Sequence, residues 1–233
     1  MRTLAIGDIH GQRQMLDQLL SRVGPKASDQ LVFLGDYVDR GPDSKGVIQR
    51  VREWVDRGSA VALRGNHEVM LLEARHSPDY AESWRRYGGI DTLASYAPAY
   101  REGSMSDIPQ VDIDFLEQTC RPYFETGTHI FVHAGVSPSL PMEEQDDLWL
   151  YWEKLNDPTA HHSGKIVICG HTHQRSGMPL DCMHTICIDT WAYSPTGWLT
   201  CLDVHSGEYW QVNAAGQSRR DWLDPYESRH RSE

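Results

Sequence analysis

The sequence predicts an α/β fold in which two mixed β-sheets are flanked by helices. Short apolar runs alternate with segments whose apolar residues recur at helical spacing, which is typical of α/β proteins. Several apolar runs end in a glycine next to Asp, Asn or His, so the predicted strands deliver polar side chains to one sheet edge. The chain is long enough to bury a large core in a single domain, which we assign to residues 1–217.

The segment LVFLGDYVDRG, residues 31–41, is central to this prediction. Its apolar run is typical of a buried strand, which ends at Gly35 and presents Asp36, Asp39 and Arg40. Charged side chains that are buried this close together need compensating charges, and a cation together with a phosphate would supply them. This stretch alone leaves open the alternative of an acidic turn with a surface ion pair.

The N-terminal unit has the same design. A strand is predicted over residues 3–6 and an amphipathic helix over residues 12–23. The loop GDIHG between them places Asp8 and His10 two residues apart, with a glycine on either side that permits a sharp turn. Both side chains can therefore face one point.

A third unit precedes a segment of different character. A helix is predicted over residues 44–57 and a strand over residues 60–63, which ends in RGNHE and so presents Asn66 and His67. Residues 69–125 contain helical patches and a polar loop but no strand followed by glycine. We expect a helical insert that lies beside the site and shapes the substrate pocket.

The second half resumes the pattern. Strands predicted over residues 129–132 and 165–169 lead to HAG and GHTH, which present His133, His171 and His173. Further strands are expected over residues 185–188, 198–204 and 208–212, and residues 218–233 are predicted to be a mobile surface tail.

Composition narrows the function classes. The formal net charge of −11 argues against binding of a nucleic-acid polymer, which needs clustered Lys and Arg. No run approaches the roughly 18 apolar residues of a membrane span. The first predicted strand begins almost at Met1, which leaves no room for a signal sequence, so we expect a cytoplasmic protein. The five cysteines lack a CxxC pair and indicate neither a disulfide framework nor a zinc ribbon.

The predicted strand ends together supply carboxylate, amide and imidazole groups without thiolates, a mixture that suits Mn, Fe or Zn. One shared carboxylate can bridge two ions about 3.5–4 Å apart, which activate a water molecule as the nucleophile. Asp36, from the central strand, is the predicted bridge. The residues that the strand ends supply are Asp8, His10, Asp36, Asn66, His133, His171 and His173.

The blocks GDIHG, GDYVDRG, RGNHE, HAG and GHTH, in this order between residues 7 and 173, resemble the signature blocks of the phosphoprotein phosphatase family within the calcineurin-like metallophosphoesterases. The resemblance implies the calcineurin-like sandwich and two divalent ions, with Mn expected and Fe or Zn as alternatives. It also implies the ligands: Asp8 and His10 for the first ion, Asp36 as the bridge, and Asn66, His133 and His171 for the second ion.

The same resemblance implies catalytic roles. His67 would be the general acid that protonates the leaving oxygen, and Asp39 would orient it. Arg40 and Asn66 would contact the phosphoryl oxygens. His173 has no counterpart in the narrow phosphatase family, but the second His of a GHxH block holds the first metal in many other metallophosphoesterases, so we expect it as an additional ligand.

One departure affects substrate binding. Much of the family carries an LWxR element whose arginine binds phosphate, whereas residues 148–151 are Leu-Trp-Leu-Tyr. Arg175 and either Arg85 or Arg86 are candidate replacements, with an ordinary surface position as the alternative for each. Four aromatic residues could pack against a phosphotyrosine ring or a nucleobase, with packing in the protein core as the alternative: Trp149, Tyr151, Trp152 and Trp191.

Two further stretches resemble bacterial members, among them symmetrical diadenosine tetraphosphate hydrolases: SWRRYGGIDTLASY, and ICIDTWAYSPTGWLTCLDV, in which Trp191 replaces the usual glycine. We therefore expect a metal-dependent phosphatase that acts on phosphoserine and phosphothreonine in proteins or on a small phosphoester, with phosphotyrosine as a further substrate. Hydrolysis of a dinucleoside polyphosphate by the same centre is the alternative, and a non-catalytic metal-binding or phosphate-binding module is the rival from another class.

Overall fold

A computed structural model describes residues 1–224, in which two β-sheets pack against each other. The strands are β1 (Thr3–Ile6), β2 (Gln30–Phe33), β3 (Ala60–Ala62), β4 (Tyr123–Glu125), β5 (His129–Val132), β6 (Ile166–Cys169), β7 (Leu180–Asp181), β8 (Thr185–Cys187), β9 (Leu199–Asp203), β10 (Glu208–Val212) and β11 (Ser218–Trp222). One sheet has the order β11-β10-β9-β1-β2-β3 and the other the order β4-β5-β6-β8-β7.

Both sheets are mixed, as the sequence predicted. In the first sheet β1, β2 and β3 are parallel, whereas β9 runs antiparallel to β1. In the second sheet β5, β6 and β8 are parallel, and β4 and β7 are antiparallel edge strands. The carboxyl ends of the parallel strands define the edge where ligands bind in α/β proteins.

Helices cover the outer faces of the sheets. They are α1 (Arg13–Val23), α2 (Ser44–Asp56), α3 (Asn66–Ala74), α4 (Pro78–Trp84), α5 (Ile90–Tyr96), α6 (Gln110–Asp114) and α7 (Asp147–Tyr151), with π-type turns at Arg85–Gly89 and Phe115–Thr119 and 3-10 turns at Met105–Asp107 and Met142–Glu144. The predicted helices over residues 12–23 and 44–57 are confirmed as α1 and α2 within one residue at each end.

Alternation along the central strands explains why they are apolar throughout. In β2, Leu31 and Phe33 pack in the cluster shared with the helices, whereas Val32 packs in the cluster shared by the two sheets. In β1, Leu4 packs in the cluster shared with the helices and Ala5 in the cluster shared by the two sheets. Because both faces are covered, these strands are apolar after their first residues, Thr3 and Gln30.

The structure corrects two sequence predictions and adds two short elements. Ser218–Trp222, placed in a mobile tail, is the edge strand β11 paired with β10. Its SRRDW sequence carries no apolar alternation, so only pairing across the strands defines it. Tyr123–Glu125 is strand β4 at the end of the segment predicted as a helical insert. The short elements α7 and β7 were not predicted. Residues 225–233 of the predicted tail lie outside the described residues.

Two negative observations concern residues 1–224. No helix there is both long enough and apolar enough to pass through a bilayer. The five cysteines are free, and all but Cys182 are buried, so these four pack as small core residues.

Asp29 fixes the start of β1 and gives a prediction on stability. Its buried carboxylate accepts hydrogen bonds from the backbone N–H groups of Arg2 and Lys26 at 3.0 Å each and from Arg2 Nη2 at 2.6 Å. Burial raises the pKa of Asp29, but these hydrogen bonds outweigh burial and lower it well below the ordinary value.

We expect Asp29→Asn to reduce the free energy of unfolding at pH 7 by about 2–3 kcal/mol. Because the folded-state pKa lies below the unfolded value of about 3.9, the ionised carboxylate stabilises the fold above pH 4, and this contribution is lost as the pH falls below that value. Urea unfolding of both proteins at pH 7 and pH 3.5 measures it. An equal difference at both pH values would contradict the account.

Candidate metal and phosphoester site

The predicted site residues lie on loops that follow parallel strands, and the backbone of these loops is unusual. Non-glycine residues with left-handed φ cluster here: His10 (46°), Asp36 (51°), Asp39 (72°), Arg40 (67°), His171 (60°) and Trp191 (67°). Such conformations cost on the order of 1–3 kcal/mol each and persist where the surroundings impose them. The packing therefore fixes the direction of these side chains at the expense of local stability.

Two glycines allow the loops to approach the carboxylates closely. A Cβ atom on Gly65 would lie 2.2 Å from Asp36 Oδ1, and one on Gly170 would lie 2.0 Å from Asp8 Oδ1. Neither contact is compatible with a side chain. The glycines of RGNHE and GHTH are thus required because each packs against a buried carboxylate from another loop.

Three ligand atoms converge beside Asp36. Its carboxylate lies within 4.8 Å of imidazole nitrogens of His133 and His171. Nδ1 of His133 faces the Leu34 carbonyl at 3.0 Å, and Nε2 of His171 faces the Trp152 carbonyl at 3.1 Å. Each ring donates its proton to that carbonyl, so each directs a lone pair inward.

The inward atoms, His133 Nε2 and His171 Nδ1, lie 2.9 Å and 3.0 Å from Asn66 Oδ1. Three lone pairs then face one another with no proton between them. Burial lowers the pKa of His133, and burial together with His133 and Lys154 lowers that of His171 to about 3, so both rings are neutral at pH 7. A cation relieves this repulsion, and the three atoms together with Asp36 fit a metal ion.

A second group shares Asp36. His10, Asp36 and His67 offer ligand atoms that lie within 4.8 Å of one another. His10 Nδ1 faces the Val38 carbonyl at 2.9 Å, so its Nε2 carries the lone pair, and Nε2 lies 3.4 Å from Asp36 Oδ2. Arg40 Nη1 donates to the same Nε2 at 2.9 Å. Positive charge already faces this lone pair.

Buried carboxylates give this region an excess of negative charge. Asp8, Asp36 and Asp189 are each 2% exposed. Burial, with the charges of Asp189 and Asp36, raises the pKa of Asp8 well above its ordinary value, and burial above all raises that of Asp189 to about 6. Burial also opposes ionisation of Asp36, but the surrounding imidazoles, first His133, lower its pKa below the ordinary value. Divalent cations would compensate this charge.

Asp8 and His173 lie outside both tight groups in the described part of the chain. The Asp8 carboxylate accepts the His171 backbone N–H at 3.0 Å, which places it at the margin of the site. The His173 ring stacks on Trp191, with centroids 5.0 Å apart, and lines the neighbouring cleft.

His67 and Asp39 form a buried pair suited to proton transfer. His67 Nδ1 lies 2.6 Å from Asp39 Oδ2, which also accepts from Trp84 Nε1 at 2.8 Å, and Thr92 Oγ1 donates to Oδ1 at 2.6 Å. Burial lowers the pKa of His67, but the Asp36 charge and the Asp39 hydrogen bond together raise it above its ordinary value. The pair thus holds a protonated imidazole near neutral pH.

Glu68 has a structural role that sequence reasoning missed, although it belongs to RGNHE. Its fully buried carboxylate accepts from the N–H groups of Asp36 at 2.8 Å, Tyr37 at 2.7 Å and Gly65 at 2.8 Å. Burial and the charge of Asp36 raise its pKa to about 7. Glu68 therefore joins the strained Asp36 loop to the loop that carries Asn66 and His67.

A cleft of about 440 Å³ opens onto these groups. Its deep part contains Asp36, Asn66, His67, His171 and Asp189, with Arg40 and Tyr193 beside them. Arg40 lies 4.4 Å from the ring centroid of Tyr193, which supports the guanidinium. Lys154 also lines the cleft, and its Nζ donates to the His171 carbonyl at 3.2 Å.

The predicted replacements for the missing LWxR arginine do not reach this cleft. Within residues 1–224 its lining does not include Arg85, Arg86 or Arg175. Arg86 pairs with Glu82 on the surface, and Arg175 lies 5.9 Å from the Trp191 ring. Lys154, which no motif identified, is the additional cation.

The predicted aromatic faces divide between three environments. Trp152 lines the cleft, whereas Tyr151 is 4% exposed and packs in the second sheet's core. Trp149 lines an adjoining cavity of about 290 Å³. Four cleft aromatics that the sequence did not single out are Tyr80, Trp84, Tyr87 and Tyr193.

Comparisons with known proteins show which family the chain belongs to. The sequence profile of the calcineurin-like phosphoesterases matches residues 1–175. The chain is 32% identical over 194 residues to serine/threonine-protein phosphatase 1 of Salmonella typhimurium, covering 78% of this chain and 83% of that protein. It is 37% identical over 136 residues to a symmetrical bis(5'-nucleosyl)-tetraphosphatase of Ralstonia nicotianae, covering 58% of this chain and only 42% of that enzyme.

Solved structures share the fold at low sequence identity. A protein serine/threonine phosphatase from Saccharomyces cerevisiae superposes with a TM-score of 0.61 at 13% identity, covering 96% of this chain and 80% of that one. A cold-active protein-tyrosine phosphatase of a Shewanella species gives 0.59 at 18% identity, covering 94% and 80%. With the profile match over residues 1–175, these findings establish that the chain belongs to the calcineurin-like metallophosphoesterases, a family of hydrolases that use divalent metal ions.

Proposed function

We propose that this chain is a phosphatase that hydrolyses phosphomonoesters, among them phosphoserine, phosphothreonine and phosphotyrosine in proteins, with two divalent ions, Mn for preference. The observation that carries the proposal is the buried His67–Asp39 pair, whose imidazole offers a nitrogen within 4.8 Å of ligand atoms of His10 and Asp36. A site for metal binding alone does not require a proton donor held by a buried carboxylate. The pair therefore argues against a non-catalytic binding module.

Two sets of ligands would hold the two metal ions. Asp8, His10 and Asp36 would hold one ion, and Asp36, Asn66, His133 and His171 would hold the other. Ions bound there supply positive charge to the phosphoryl oxygens and lower the pKa of water. Asp8 and His173 belong to neither tight group and enter the proposal as ligands only by family resemblance.

The chain's own groups position the ester and move the proton. Arg40 and Asn66 face the cleft and donate to the phosphoryl oxygens, and the planar guanidinium suits bidentate contact. His67 Nε2 gives its proton to the leaving oxygen while Asp39 holds the ring orientation through Nδ1. Burial of this pair keeps solvent from competing for the proton.

Symmetrical hydrolysis of a dinucleoside polyphosphate is the second candidate. The identity to the tetraphosphatase of Ralstonia nicotianae favours it, although the match spans less than half of that enzyme. A side-by-side assay on phosphopeptides and diadenosine tetraphosphate separates the two. Faster release of inorganic phosphate from the peptides supports the phosphatase proposal, whereas nucleoside diphosphate as the dominant product contradicts it.

Lys154 gives a prediction about phosphate binding. Lys154→Gln is expected to lower kcat/KM for a phosphomonoester roughly tenfold, because a charged donor to phosphate is lost. Lys154→Arg should recover most of the loss. The control is Lys26→Gln, which changes an exposed lysine outside the cleft. If both glutamine variants keep the wild-type rate, Lys154 does not contact the substrate.

A further inference from the structure

Exposed aromatic side chains from two segments of the chain line the cleft, and we call them its two aromatic walls. Tyr80 and Tyr87 come from the α4 segment, and Trp152 comes from the loop after α7. They are 58%, 59% and 38% exposed, respectively. Large exposed rings around a cleft that also contains a catalytic centre are typical of a ligand-binding surface.

The first wall belongs to α4 and the turn that follows it. Tyr80 and Trp84 are four residues apart on α4 and share a face, Tyr87 lies in the π-type turn, and all three line the cleft. Trp84 is buried and donates to Asp39, the partner of His67. The position of both tyrosines is therefore fixed relative to the proton donor.

The second wall, Trp152, is connected to the site through another contact. The Trp152 carbonyl faces His171 Nε2 at 3.1 Å, and Lys154 follows two residues later. Both aromatic walls are thus connected by hydrogen bonds to catalytic or ligand side chains. A flat group bound against these rings would lie in the same cleft as His67 and His171.

We infer, on the basis of the proposed function, that Tyr80, Tyr87 and Trp152 form a leaving-group subsite for an aromatic ring, and that phosphotyrosine is the preferred phosphomonoester. Hydrolysis breaks the bond between phosphorus and the phenolic oxygen and forms a bond between phosphorus and the oxygen of water. His67 delivers the proton to the phenolate, and the products are tyrosine and inorganic phosphate. The ring packs against the aromatic walls by offset or edge contacts.

Charge and volume favour phosphotyrosine over a polyphosphate. Within residues 1–224 the arginine and lysine side chains that line the cleft are Arg40 and Lys154, and both belong to its phosphate-binding part. One monoester phosphate carries about −1.5 to −2 charges, which these groups and bound ions can balance. A polyphosphate chain that crossed the mouth would meet aromatic rings in place of cations. The cleft volume of about 440 Å³ is also near the lower end of ligand sites, roughly 300–1,000 Å³.

Matched peptides that differ only in phosphotyrosine, phosphoserine or phosphothreonine test the inference with the Mn²⁺-loaded full chain. We expect kcat/KM for the phosphotyrosine peptide to be at least about tenfold higher. Tyr80→Ala, Tyr87→Ala and Trp152→Ala should each lower the ratio of phosphotyrosine to phosphoserine activity about threefold to tenfold. Tyr100→Ala, an 86% exposed tyrosine outside the cleft, should leave that ratio unchanged. If Tyr80→Ala or Tyr87→Ala fails to fold, Tyr80→Leu or Tyr87→Leu takes its place in the comparison.

The outcomes separate this inference from the proposed function. Equal kcat/KM for the phosphoserine and phosphotyrosine peptides, or equal losses on both in the three variants, overturns the aromatic subsite and leaves the phosphatase proposal standing. A higher kcat/KM for diadenosine tetraphosphate than for the peptides, together with a lower kcat/KM for it in the three variants, would assign the rings to binding of a nucleobase. That result overturns the inference that phosphotyrosine is the preferred substrate. Inactivity on every ester in the presence of metal removes the proposed function itself.

Discussion

Asp36→Asn is expected to reduce kcat/KM for phosphomonoesters by about a thousandfold or more. Asp36 contributes to both ligand groups, so its replacement changes both groups at once. An amide also lacks the negative charge that balances the cations. Loss of several kcal/mol of charge stabilisation in the transition state corresponds to a factor of this order.

The change should appear in metal binding as well as in rate. We expect Asp36→Asn to hold fewer Mn²⁺ ions per chain after dialysis than the wild type, as measured by metal analysis of the purified protein. Asp56→Asn, which alters an exposed carboxylate at the end of α2, is the matched control and should match the wild type in both measurements. Full activity of Asp36→Asn would rule out a shared ligand.

His67→Asn should depress turnover selectively. The loss on an ester with a poor leaving group, such as phosphoserine, is expected to be about 10²–10⁴-fold, because the departing alkoxide is no longer protonated. An activated aryl phosphate, whose leaving group needs little protonation, should lose far less. Single-turnover rates on the two substrates at saturating metal measure the difference.

A structural effect of His67→Asn must be distinguished from a catalytic one. His67 lies within 4.8 Å of His10 and Asp36, so its loss can disturb the ligand geometry. Metal content per chain therefore serves as the control, and it should stay at the wild-type level. Equal losses on both substrates with normal metal content would remove His67 from the acid role.

Much of the fold was predictable because its central strands have both faces covered. The apolar run at Leu31–Phe33 has to be a buried strand, and the observed β2 spans Gln30–Phe33. The glycine next to each polar cluster indicated a strand end, and the structure gives a reason for two of them, the close approach of Gly65 and Gly170 to carboxylates. Local patterns sufficed where a local steric or hydrophobic constraint existed.

Features created by contacts distant in sequence were not predictable from patterns. Lys154 approaches His171 across a loop, and Trp84 reaches Asp39 from 45 residues away. Edge strand β11 is polar and is defined by its partner β10. The expected replacements for the missing LWxR arginine are arginines distant from residues 148–151, whereas the cleft is lined by Lys154, which lies close to Tyr151 in the sequence.

The central claim is that this chain releases phosphate from monoesters only when its paired ligand groups hold divalent ions. The most direct test titrates the metal-stripped full chain with Mn²⁺ while phosphate release from a phosphotyrosine peptide and bound ions per chain are measured together. The account predicts no release without metal and full activity as two ions bind. Metal-independent release, or full activity with a single ion, would contradict it.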